Sequence, residues 1–93
     1  IMINHIIITR INFENDILFE KYLRVMKQVY VPSIKSQTNK NFKIGFIINP
    51  KHEKFISPLF SEVPLFFNNI ESIREYCIKN NFRNSISIFR ISI

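Results

Sequence analysis

The chain has 93 residues, enough for one small domain and too few for two. Thirteen Lys and Arg against seven Asp and Glu give a formal charge of +6, but the basic residues are spread from Arg10 to Arg90 without a dense run. That spacing argues against a polybasic nucleic-acid or membrane tract and leaves a solvated basic surface, with a phosphate-bearing ligand as its next use.

The first element is an apolar, β-branched run, Ile6-Ile7-Ile8-Thr9, which predicts a strand over roughly Met2 to Thr9. A strand apolar on both faces is the usual state in a parallel sheet. Open sheets of that kind bind ligands beyond the carboxyl ends of their strands, so Thr9, Arg10 and Asn12 stand at the expected site. Arg10 has a second reading, as the partner of Glu14, with Asn12 simply starting the turn.

A polar break follows, and Asn15 is suited to cap a helix whose first turn carries Asp16. From Asp16 to Val31 the apolar residues recur at helical spacing in two neighbouring rows. Leu18, Tyr22, Val25 and Val29 are the row expected to be buried, with Phe19, Leu23, Met26 and Tyr30 beside them. Pro32 is expected to end or kink this helix, or to open a further turn over Ser33 to Gln37.

Thr38 to Asn41 reads as a loop, and Phe42 to Ile48 as the second strand, stopped by Asn49-Pro50. Asn49 is a candidate contact for a base or ribose, although Asn-Pro also starts turns. Lys51 to Phe60 is ambiguous, with His52, Phe55, Ile56 and Leu59 as one weak helical face and Pro58 set against it. Val63 to Phe67 is a short strand candidate. A helix capped by Asn69 is predicted from Ile70 to about Asn80, with Ile70, Ile73 and Cys77 on one face and Asn80 or Asn81 in the left-handed position. Ser85 to Ile93 alternates like a strand.

Strands separated by helices predict βαβ units and an α/β fold built on a mostly parallel sheet. The alternation is still running at Ile93, so residues 1–93 are expected to be one partial domain, cut short at its C-terminal side. Cys77 has no partner for a disulfide, which fits a reducing, cytoplasmic location. No apolar run approaches the ~20 residues of a transmembrane helix. His5 and His52 lack acidic or thiol partners at metal spacing, and Gly45, the one glycine, cannot make a phosphate loop.

Two stretches carry a resemblance. Thr9-Arg10-Ile11-Asn12 at the first strand end is followed by Pro32-Ser33, Gln37-Thr38 and Asn41-Phe42 before an apolar strand. This order is similar to the putative rhamnosyltransferase family and, more broadly, resembles family 2 glycosyltransferases over about Ile6 to Ile48. The resemblance implies the N-terminal, Rossmann-like half of a GT-A fold. It also implies a nucleotide-sugar donor held by Thr9, Arg10, Asn12 and Asn49, and a divalent metal, Mg or Mn, in the whole enzyme. Ser87 to Ser92 could be the strand before the family's acidic motif, with Arg90 as its arginine. Three departures stand against it. Asn49-Pro50 replaces the usual aspartates after the second strand, Ser92 takes the first expected acidic position, and Asp16 is the sole aspartate. No residue of this chain is therefore assigned to catalysis or to metal binding, and the fragment alone is expected to be inactive.

A different class of function remains open. If Phe55 to Phe67 were one strand, the order would become βαββαβ, the ferredoxin-like arrangement used by many small basic RNA-binding domains. Pro58 and Pro64 interrupt that stretch, and the first strand offers no base-stacking aromatic. The direction in which Phe42–Ile48 pairs with Val63–Phe67 separates the two arrangements.

Overall fold

The computed structural model describes residues 5–37, 42–81 and 86–89. Among these residues four strands form one sheet: β1 (His5–Ile11), β2 (Phe42–Ile48), β3 (Leu65–Phe67) and β4 (Ile86–Phe89). The spatial order is β3-β2-β1-β4, and every neighbouring pair is parallel. β2 and β3 pair in parallel through Gly45–Leu65 and Ile47–Phe67, which is not the ferredoxin-like pairing. The parallel α/β class read from the sequence is therefore the class observed.

The connections explain where the helices lie. From β1 to β2 to β3 the chain steps one way across the sheet, and from β3 to β4 it returns past both. Right-handed crossovers then place the first helices on one face and the last helix on the other. The core divides accordingly. Ile11, Phe46 and Ile48 pack with Phe19, Met26, Tyr30, Val31 and Ile56, while Ile6, Ile8, Ile47 and Phe67 pack with Ile73 and Cys77.

Helix α1 (Asp16–Val25) begins at Asn15, whose Oδ1 accepts from the N–H groups of Ile17 and Leu18 at 2.8 and 3.1 Å. Its buried row is a correction to the sequence reading. Phe19, Met26 and Tyr30 are in the core, whereas Leu18 and Val29 are exposed and Tyr22 and Val25 only half-buried. Both rows were apolar, so periodicity left the helix free to roll by one residue. Phe19 decides the phase, because its ring is stacked on His52 beneath it.

Pro32 does not end this helix. A π-helical turn, Met26–Tyr30, leads into α2 (Val31–Lys35), and the Val31 N–H reaches back five residues to Met26 O. A proline lacks the N–H of the next rung and crowds the carbonyl four residues before it. A widened turn just before Pro32 accommodates both.

After β2, Asn49 caps a 3-10 turn (Pro50–His52) that continues into α3 (Glu53–Ile56) and a second 3-10 turn (Ser57–Leu59). Helix α4 (Ile70–Lys79) is capped by Asn69 as expected, and Asn81 takes the left-handed conformation at φ 62°. Ile73 and Cys77 point inward, and Ile70 is exposed. Burial raises the Cys77 thiol pKa, as suits a core cysteine. The expected loop Thr38–Asn41, the start of the first strand at Met2, and Arg90 and Ser92 lie outside the described residues.

Candidate functional site

Parallel pairing brings the ends of β1 and β2 together, with Arg10 opposite Ile47 and Ile11 opposite Ile48. Asn12 and Asn49 therefore leave the sheet side by side at its carboxyl edge. Arg10 and Asn12 are both exposed, and Arg10 Nε donates to Asn12 Oδ1 at 3.4 Å. Among the described residues Arg10 has no carboxylate partner. The expected alternative, a pair with Glu14, is not formed, because Glu14 is engaged from β2.

Asn49 makes that engagement. Its Nδ2 donates to Glu14 Oε1 at 3.2 Å, while its Oδ1 accepts the Lys51 N–H at 3.2 Å. Lys51 Nζ adds a hydrogen bond to the Glu14 carbonyl at 2.8 Å and an ion pair with Asp16 Oδ1 at 3.2 Å. The β1–α1 loop is thereby tied to the exit of β2 from several directions.

Thr9 occupies a different place from the other candidates. It is fully buried, and its hydroxyl donates to Tyr30 OH at 3.0 Å inside the core. Strand alternation is the reason: Thr9 shares a face with Ile11, toward α1 and the π turn, and lies below the carboxyl edge. Burial raises the Tyr30 pKa, partly offset by the hydrogen bond with Thr9.

The strand order also sets where the direction of the chain across the sheet reverses. The reversal of direction falls between β1 and β4, and such a reversal opens the crevice of an open α/β sheet. Arg10 and Asn12 border it. Asn49 stands on the other side of β1 and supports the loop.

Sequence reasoning missed a cluster beside this edge. His52 is 2% exposed, stacked on Phe19 with ring centroids 3.9 Å apart and planes 5° apart. Its Nε2 lies 2.8 Å from Asp16 Oδ1. The hydrogen bond from His52, followed by the hydrogen bond and charge of Lys51, holds the Asp16 carboxyl below its ordinary pKa. An ionised carboxylate only accepts, so the proton of this contact sits on His52 Nε2. Nδ1 is buried and without a partner among the described residues. The one hint in the sequence was the place of His52 on an apolar face with Phe55 and Ile56.

Next to this cluster α1 and α3 enclose a groove of about 370 Å³, lined by Phe19, Leu23, His52 and Phe55 among others. Among the described residues no three His, Cys, Asp or Glu side chains gather to hold a metal ion. The divalent metal implied by the resemblance has no ligand set in them. No helix among them is long and apolar enough to cross a membrane. No family model, curated protein or solved structure matches the chain.

Proposed function

We propose that the chain is a nucleotide-binding α/β unit whose ligand lies beyond the carboxyl end of β1. The observation that carries this reading is the all-parallel order β3-β2-β1-β4, with its reversal beside β1. A guanidinium without a carboxylate partner among the described residues and a short amide stand at that point, a pairing suited to a diphosphate and to a base or ribose. Asn49 holds the β1–α1 loop through Glu14, with both its amide nitrogen and its amide oxygen engaged. Thr9 contributes by fixing the strand from within the core.

The finer reading rests on the resemblance. On it, the ligand is a nucleotide sugar and the chain is the donor-binding half of a rhamnosyltransferase-like glycosyltransferase of GT-A fold. Metal ligands and a general base would then come from elsewhere in the whole enzyme, and this chain alone would bind without turnover.

The test is a nucleoside-diphosphate titration of the 93-residue chain, followed by backbone NMR. Shifts centred on Arg10 to Asn12 and on Asn49 are expected, with a dissociation constant of about 1 mM, which corresponds to about 4 kcal/mol. Shifts with single-stranded RNA on the sheet, and none with the nucleotide, would overturn the reading.

A further inference from the structure

The groove between α1 and α3 is not used by that proposal. Its volume of about 370 Å³ lies at the small end of ligand sites, which run from roughly 300 to 1,000 Å³. Phe19 and Leu23 of α1 give it an apolar floor, and Phe55, 46% exposed, forms a wall. An exposed aromatic beside buried ones is the surface on which a ring would lie.

The charges around this floor are unevenly satisfied. Lys51 is paired with Asp16, and that pair and His52 both use Oδ1, leaving Oδ2 without either contact. Glu20 stands one helical turn beyond Asp16 on the same side of α1. Two carboxylates at this spacing repel, and Lys51 offsets this only from the Oδ1 side of Asp16. Glu20 has no ion pair among the described residues. Across the groove, Lys54 Nζ sits 5.3 Å from the centre of the Phe55 ring and has no carboxylate partner among them. A third observation comes from the wall itself, where the buried His52 Nδ1 has no partner among the described residues.

The second oxygen of Asp16, the Glu20 carboxylate, the Lys54 ammonium and the aromatic lining define a complement. We propose that this groove binds a small zwitterion with an aromatic body, of which a free aromatic α-amino acid is the simplest example. The ligand ammonium sits against Asp16 and Glu20, its carboxylate meets Lys54, and its ring lies on Phe19, Leu23 and Phe55. Lys54 leaves the Phe55 face when the ligand ring takes that position. Volume favours a free amino acid over a longer peptide.

The test uses the full 93-residue chain and L-phenylalanine, titrated to about 20 mM, a range that detects binding of roughly 2–3 kcal/mol. Backbone NMR shifts are expected at Phe19, Glu20, Lys54 and Phe55, separate from those produced by a nucleoside diphosphate. Phenethylamine lacks the carboxylate and 3-phenylpropionate lacks the ammonium, and each should bind about tenfold more weakly, as a loss of about 1.4 kcal/mol requires. Glu20→Gln and Lys54→Met are surface changes that leave the fold intact by their NMR spectra, and each should weaken phenylalanine by a similar factor. Absence of shifts at these four residues would overturn the proposal. So would a one-charge analogue that binds as tightly as phenylalanine, or shifts confined to Arg10 to Asn12.

Discussion

His52 Nε2 and Asp16 Oδ1 meet at 2.8 Å across 36 positions of the sequence, and the other nitrogen of the same ring has no partner among the described residues. This contact joins the first turn of α1 to the segment that leaves β2. It holds a proton on Nε2 of a buried imidazole and leaves Nδ1 unsatisfied.

Acid should weaken that junction. Asp16 has its pKa lowered in the folded chain from an ordinary value of 3.8, first by the His52 hydrogen bond and then by Lys51. Below 3.8 the unfolded chain binds the proton more readily than the folded one. The contribution of Asp16 is therefore complete above that value and is lost as pH falls through the folded pKa. Urea midpoints of the natural chain and of Asp16→Asn, taken from about pH 6 to about pH 2.5, should converge as the solution is acidified. A gap that stays constant would mean that the carboxylate charge does not stabilise the fold.

Thr9 and Tyr30 make a second buried contact, 3.0 Å long. Tyr30→Phe leaves the Thr9 hydroxyl without its acceptor, which should cost roughly 1–3 kcal/mol. Replacing both partners, as in Thr9→Val with Tyr30→Phe, should cost less than the sum of the two single changes. Tyr30 also predicts an alkaline effect. Its folded pKa is raised above 10.0 by burial, so the folded chain keeps its proton longer, and stability should fall as pH rises above that value. Tyr30→Phe should lack this alkaline loss.

Gly45 shows why a strand keeps a residue that usually weakens it. A Cβ built there would lie 2.7 Å from Ile8 Cδ1 and 3.1 Å from Phe67 Cε2. Gly45→Ala should therefore destabilise by about 1–3 kcal/mol through overpacking. Ile8→Val removes the crowding methyl and should cost about 0.5–1.5 kcal/mol alone. In the double variant the two effects should fall short of additivity by at least about 0.5 kcal/mol. Strict additivity in chemical denaturation would refute the contact.

These contacts mark the limits of what the sequence could say. Local rules were sufficient for Asn15, Asn69 and Asn81, because a cap or a left-handed residue depends on its nearest neighbours. A strand such as Phe42–Ile48 was legible from its apolar run, and its parallel pairing from the helices between strands. Thr9 was placed at the carboxyl edge because it is polar, but alternation turned its hydroxyl inward to a tyrosine 21 residues away. His52 was passed over for the same physical reason. Its partners, Phe19 and Asp16, belong to another crossover, and no periodicity within Lys51–Phe60 points to them.

The phase of α1 offers the most direct check of the packing. Two apolar rows run along this helix, and the structure buries Phe19, Met26 and Tyr30 while leaving Val29 59% exposed. Met26→Ala should cost about 2–5 kcal/mol, as for other fully buried large-to-small changes. Val29→Ala should stay within about 0.5 kcal/mol, the usual range of surface changes. Val29 lies in the π turn three residues after Met26, so backbone propensity alone does not predict so large a contrast. Equal costs in urea denaturation would mean that the helix lies on the sheet by its other row, and that the Phe19–His52 stack is absent in solution.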